Sequence, residues 1–153
     1  MKPSLKVLMV CLGNICRSPL AEGILASKLD RTSVLVDSAG TAAYHIGNLP
    51  DQRSIEIARQ KGIDITNQRA RKVGLKDFED FDYIYAMDQS NFQDLKDMAK
   101  DDRQKSKVRL IMNELYPFEN ISVPDPYYGG EDGFVQVFDM LDKACDEIVK
   151  KIL

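Results

Sequence analysis

The strongest constraint on how this chain folds lies near its start, where Leu5-Lys6-Val7-Leu8-Met9-Val10 runs into Cys11-Leu12-Gly13-Asn14-Ile15-Cys16-Arg17-Ser18-Pro19. The first stretch is short, apolar and β-branched, and Pro3-Ser4 and Gly13-Asn14 bound it, so it reads as a buried strand of a parallel sheet ending just before Cys11. From Pro19 the apolar residues Leu20, Ala21, Ile24, Leu25 and Leu29 recur at spacings of three and four. Pro19 suits a first helical turn, which predicts a helix to about Asp30. A strand, a tight loop and a helix follow one another directly.

The same alternation continues. Val34-Leu35-Val36 resembles a second strand, Ser54 to Lys61 a helix ended by Gly62, and Tyr83-Ile84-Tyr85-Ala86 a third strand. Gln89 to Lys100 and Gly133 to Leu153 carry helical periodicity around a fourth strand, Lys107-Val108-Arg109-Leu110-Ile111. The pattern predicts an open, mostly parallel α/β sheet. Such sheets bind ligands outside the carboxyl ends of their strands, where the strand order reverses, and Cys11 sits at such a position. The charge-rich run Lys96 to Lys107 reads as a solvated helix end and loop.

At 153 residues the chain makes one domain, 1–153, and hides roughly 70% of its unfolded surface. No apolar run approaches the roughly 20 residues that span a bilayer, and Lys6 interrupts the only candidate leader, so a cytoplasmic protein with no membrane partner is expected. A net charge of −3 without a basic block excludes nucleic acid as the main partner. Three cysteines, an odd number, argue for free thiols rather than a disulfide framework.

Five residues separate Cys11 from Arg17, between a strand and a helix. A loop of that length wraps its N–H groups around one point and adds the positive end of the helix, making an anion nest of phosphate size. Arg17 supplies a planar fork for two phosphoryl oxygens, and the concentrated positive field favours the thiolate of Cys11. The hydroxyl of Ser18 is in position to bond that sulfur and support it as a leaving group. Gly13 and Asn14 best tolerate the left-handed angles a tight cradle demands. Taken singly, Cys11 reads as a small buried hydrophobe and Arg17 as a surface residue; their spacing and placement override that reading. A nucleotide-binding P-loop lacks its Gly-Lys-Ser/Thr ending here.

Val10-Cys11-Leu12-Gly13-Asn14-Ile15-Cys16-Arg17-Ser18-Pro19 resembles the signature loop of the low-molecular-weight protein tyrosine phosphatases. Asp37-Ser38-Ala39-Gly40-Thr41, Ala86-Met87-Asp88 with Asn91, and Val123-Pro124-Asp125-Pro126-Tyr127-Tyr128-Gly129 resemble further motifs of that family in order. The resemblance implies a four-stranded parallel open sheet with helices on both faces, flavodoxin-like and phosphatase I-like. It implies Cys11 as nucleophile, Arg17 as phosphate clamp and Asp125 as general acid, with no metal ion and no cofactor. Leu12, Gly13, Asn14, Ile15, Cys16 and Ser18 would hold the substrate, and Tyr44, Tyr127 and Tyr128 would join Leu12 in walling a slot deep enough for phosphotyrosine. Ser38, Gln68 and Asp88 would support the cradle.

A carboxylic acid between two prolines suits protonation of the leaving oxygen; alone, an Asp-Pro would read as a turn former. The implied partners are phosphotyrosine proteins, with phosphate and other oxyanions as inhibitors. One departure is Gln68-Arg69-Ala70-Arg71, where the family often has a histidine ahead of Ala-Arg to brace the loop asparagine. The sole histidine, His45, reads as structural, and Cys145 as a core residue of the last helix. Cys11 and Cys16, in one tight loop, suggest a reversible disulfide that protects the nucleophile.

Two alternatives stand beside the phosphatase. An arsenate reductase of the same fold passes oxidation to mid-chain cysteines, and residues 17 to 144 contain none. A phosphotyrosine-binding module without turnover should have lost the nucleophile or the acid.

Overall fold

The computed structural model describes residues 5–127 and 130–153. Strands β1 (Leu5–Cys11), β2 (Val34–Gly40), β3 (Tyr83–Ala86) and β4 (Val108–Leu110) form one sheet in the order β2-β1-β3-β4. Every pairing is parallel, with Cys11 opposite Gly40 and Val10 opposite both Ala39 and Ala86. The order reverses at β1, with β2 on one side and β3 on the other, so the crevice that this topology opens lies beyond Cys11 and Ala86.

The alternation of β1 divides the interior into two layers, since successive side chains of a strand point to opposite faces. Val7, Met9 and Cys11 join one cluster with Leu20, Ile24 and Leu25 of α1 (Arg17–Ser27), Ile57 and Ala58 of α2 (Gln52–Gln60), and Phe134, Val137, Leu141 and Ile148 of α6 (Glu131–Ile152). Leu8 and Val10 join the other, with Phe78 of α3 (Asp77–Asp80) and Leu95 of α4 (Gln89–Met98). Helices thus cover both faces of a four-stranded parallel sheet, as expected. Cys145 is fully buried in the first cluster.

Element ends differ from the sequence reading for identifiable reasons. β1 includes Cys11, because its pairing with β2 continues to Gly40. β2 extends four residues past Val36 through Asp37-Ser38-Ala39-Gly40, residues of low strand propensity that the pairing with β1 carries. The first helix starts at Arg17, ahead of Pro19, which remains within the first turn. Gly62 ends α2 with φ +79°, the left-handed conformation that glycine adopts at no steric cost. The charged run is not all loop: α5 (Asp102–Lys105) forms behind the Asp101 cap, and Gln104 is buried. β4 is trimmed to three residues because Ile111 opens a 3-10 turn.

Candidate active site

The loop between β1 and α1 is a cradle because its carbonyls are turned outward. The carbonyl oxygens of Cys11, Leu12 and Ile15 accept bonds from the N–H groups of Thr41, Ala42 and Asp51, and that of Cys16 accepts from the Ser54 hydroxyl. A trans peptide points its N–H opposite its carbonyl, so the N–H groups of Leu12, Gly13, Cys16 and Arg17 turn the other way, toward the loop's centre. α1 has no side-chain cap, so its first N–H groups and its positive end are left to the same centre. Asn14 takes the left-handed conformation, φ +57°. Gly13 does not, so the left-handed turn that the cradle demands falls on Asn14; a Cβ at Gly13 would stand 3.1 Å from the His45 ring, which would have to give by a few tenths of an ångström. Gly40 permits the closest approach: a Cβ at that position would lie 2.6 Å from the Leu12 carbonyl oxygen.

Cys11 lies at the base of this cradle with Ser18 Oγ 3.0 Å and the Asn14 N–H 3.3 Å from its sulfur. The Asn14 side chain, 2% exposed, donates from Nδ2 to Ser18 Oγ at 2.8 Å and to Ser38 Oγ at 3.0 Å, and its Oδ1 accepts from the Arg71 N–H at 3.0 Å. The two loop cysteines are chemically distinct. Burial first, and then the charges of Asp51, Cys11 and Asp125, push the Cys16 thiol up to about 12, so it stays protonated.

Arg17 is buried, with its side chain 3% exposed. Both protons of NH1 are taken, by Asp88 Oδ2 at 2.7 Å and by the Val123 carbonyl at 2.9 Å. That leaves the Nε–NH2 edge for an oxyanion, the edge that makes paired bonds to two oxygens of one phosphoryl group. Asp88 also caps α4, its Oδ1 accepting from the Asn91 N–H at 2.7 Å. Asp125 sits across the opening, 40% exposed, with Oδ2 3.8 Å from Arg17 NH2 and Oδ1 accepting from the Tyr127 N–H.

Cys11, Leu12, Gly13, Ile15, Cys16, Arg17, Tyr44, His45, Asp125 and Tyr127 line one cleft of about 320 Å³. Most residues singled out from the sequence therefore meet: the nucleophile and clamp candidates at the base, the acid candidate Asp125 across the opening, and Leu12 and Tyr127 on the walls. Tyr44 is 74% exposed and forms the rim rather than the depth of the slot. Tyr128 lies outside the described residues.

Two expectations need correction. Gln68 does not reach the loop asparagine; its Nε2 donates to the Pro19 carbonyl, and the brace on Asn14 comes from the backbone N–H of Arg71. His45 is not simply structural, because it lines the mouth beside Tyr44, with the rings edge to face at 6.4 Å. Two residues went unrecognised. Arg71 holds Asp37 and Asp77 with its guanidinium while bracing Asn14, and Glu22 of α1 accepts from the Ser38 hydroxyl at 2.7 Å. Glu22 occupies an ordinary helical position in sequence, so only its register against β2 could have found it.

A profile of the low molecular weight phosphotyrosine protein phosphatases matches residues 6–153. The chain is 40% identical to the low molecular weight phosphotyrosine protein phosphatase of Schizosaccharomyces pombe, over 99% of each chain. Among solved structures, the protein tyrosine phosphatase of Entamoeba histolytica with Hepes in its active site superposes with a TM-score of 0.90 at 38% identity, covering 97% of each chain. Vibrio vulnificus Wzb in complex with benzylphosphonate gives 0.86 at 30% identity, covering 97% of this chain and 99% of that one. With its cysteine-and-arginine cradle at the head of a parallel sheet and these full-length likenesses, the chain belongs to the low molecular weight phosphotyrosine protein phosphatase family.

Proposed function

We propose that the protein hydrolyses phosphotyrosine in two steps through a phosphocysteine at Cys11. The observation that carries this reading is the convergence of Cys11, Arg17 and Asp125 on one cleft, with Ser18 Oγ 3.0 Å from the sulfur. The phosphoryl group enters the cradle with its oxygens on the inward N–H groups and the free edge of Arg17. The Cys11 thiolate attacks phosphorus in line, the S–P bond forms as the P–O bond breaks, and the Asp125 carboxyl gives its proton to the departing phenolic oxygen. In the second step the Asp125 carboxylate takes a proton from water as that water attacks phosphorus. The Cys11 sulfur then leaves as thiolate, supported by the Ser18 hydroxyl, and inorganic phosphate is released.

The preference for an aryl phosphate rests on the walls of Leu12, Tyr44 and Tyr127, which present apolar surface above the base. The same likeness to a structure holding benzylphosphonate, a phosphonate one carbon from an aromatic ring, supports that substrate class and oxyanion inhibition. An arsenate reductase is disfavoured, since the third cysteine, Cys145, is fully buried and away from the cleft. Three free thiols support a cytoplasmic site of action. The test is hydrolysis of p-nitrophenyl phosphate and of a phosphotyrosine peptide in the presence of EDTA, with thiol-dependent arsenate reduction measured in parallel. Turnover by the wild type and none by Cys11→Ser is expected. Binding without turnover, or arsenate reduction alone, would overturn the reading.

A further inference from the structure

We infer that Glu22 is a positioning residue for the dephosphorylation machinery, fixing through Ser38 and Asn14 the direction of the hydrogen bond that Ser18 gives to Cys11. This rests on the reading of Cys11 as nucleophile. The direction of every bond follows from counting protons. The Arg71 N–H is only a donor, so the Asn14 atom facing it at 3.0 Å is the carbonyl oxygen and the amide nitrogen faces the two serines. Its two protons go to Ser18 Oγ and Ser38 Oγ. Each serine oxygen has then accepted, and each must send its own proton elsewhere. For Ser18 the nearer acceptor is Cys11 Sγ at 3.0 Å, against 3.5 Å to the Ala39 carbonyl. For Ser38 it is Glu22 Oε1 at 2.7 Å.

Ser38 serves Asn14 as an acceptor only while its proton is drawn away. Without Glu22 that proton competes for the space of the Asn14 amide, which loses one of the three side-chain bonds holding Asn14 in its left-handed conformation. Ser18 then loses the donor that turns its hydroxyl toward the sulfur. Bonds in such a series polarise one another, so an anionic end strengthens the far one.

The groups facing Glu22 make its charge sensitive. Asp37 on β2 repels it; Arg31, after α1, and Arg71, after α2, attract it, but Arg71 is already bonded to Asp37 and Asp77. Glu22 and Arg31 line a second cleft, apart from that of Cys11, together with Asp64, Asn67 and Gln68, and no ion pair to Glu22 is formed among the described residues. Burial pushes the Glu22 carboxyl up to about 7, which puts the loss of its charge inside the working range of pH.

The experiment compares Glu22→Ala, Glu22→Gln, Ser38→Ala and the Glu22→Ala/Ser38→Ala pair. The measurements are kcat and KM on p-nitrophenyl phosphate from pH 5 to 8, and the pH midpoint of Cys11 alkylation by iodoacetate, read by mass spectrometry. Glu22→Ala should lower kcat about tenfold, leave KM within about twofold, and move the alkylation midpoint up by about one pH unit. Glu22→Gln, which keeps an acceptor but does not titrate, should recover kcat to within about threefold and lose the inflection near pH 7. The double variant should be no worse than Ser38→Ala, because both act through one bond. A wild-type midpoint and kcat in Glu22→Ala, or independent multiplication of the two losses, overturns the proposal. If Glu22→Ala does not fold, a Glu22→Gln profile superimposable on the wild type overturns it equally. An active Cys11→Ser would instead sink the nucleophile assignment itself, so the two failures are distinguishable.

Discussion

Asp88 serves two elements at once, and two substitutions separate its duties. One carboxylate oxygen holds buried Arg17 at 2.7 Å, and the other caps α4 through the Asn91 N–H at 2.7 Å. Asparagine caps as well as aspartate, so Asp88→Asn withdraws the charge and leaves the cap, whereas Asp88→Ala removes both. Withdrawing a carboxylate from a fully buried partner costs about 3–5 kcal/mol. Here Asp88 is 22% exposed, which lets water replace part of the interaction, and the Val123 carbonyl stays on NH1, which brings the expected loss nearer 2 kcal/mol. The missing cap adds about 1 kcal/mol. Urea unfolding should therefore rank wild type, Asp88→Asn and Asp88→Ala, with steps of about 2 and about 1 kcal/mol. Kinetics should rank them differently. Both variants lose the bond that presents the Nε–NH2 edge of Arg17, so kcat/KM should fall by a similar factor, about tenfold for each 1.4 kcal/mol of lost aim. A wild-type kcat/KM in Asp88→Asn would refute the orienting role; equal stability of the two variants would refute the capping role.

Three further outcomes follow from the same geometry. Asp125→Asn should slow hydrolysis of aryl phosphates in proportion to how poor the leaving group is, measured across substituted phenyl phosphates; an equal loss for all of them removes Asp125 as the acid. Mild peroxide should join Cys11 to Cys16, visible by mass spectrometry as a mass loss reversed by thiol, because the sulfenic acid formed at Cys11 has a neighbour in the same loop; sulfinic acid without a bridge would end that idea. Glu22→Gln should stabilise the protein at alkaline pH. The folded state keeps the Glu22 proton up to about 7 against an ordinary 4.5, so it binds more protons than the unfolded chain between those values and loses stability as pH rises through them. The full difference corresponds to about 3 kcal/mol, so denaturant midpoints should differ most at pH 8 and converge by pH 4; a gap independent of pH refutes the burial argument.

How far the sequence could be read depended on whether a residue's part is local. The junction of β1 and α1 was legible because strand period, turn residues and helix period change within a few positions, and Cys11 and Arg17 lie inside that change. Gly62 was legible as a helix end for the same reason. The rear of the site was not legible from local pattern, and Ser38 entered only through the family resemblance. Ser38 stands in a stretch with poor strand propensity that is a strand only because β1 lies beside it. Arg71 braces Asn14 with a backbone N–H, a group every non-proline residue carries, so no side-chain pattern could announce it. Gln68 was misplaced because its side chain is able to make the predicted bond, and only packing decides that it turns to Pro19.

The features that build the site, read from the sequence or not, share a physical character: each costs stability locally. Asn14 occupies a left-handed conformation, α1 begins without a side-chain cap, Arg17 is a buried cation, and Glu22 is held where ionisation is disfavoured. Such costs persist where the surrounding structure over-determines them, and here two layers of helices on a β1 that is buried from Val7 to Cys11 do so. The uncapped helix leaves its N–H groups to an anion, and the strained asparagine is what turns two serines in fixed directions. An unoccupied cradle is therefore a less satisfied structure than an occupied one, and phosphate should stabilise the fold by mass action in proportion to its affinity.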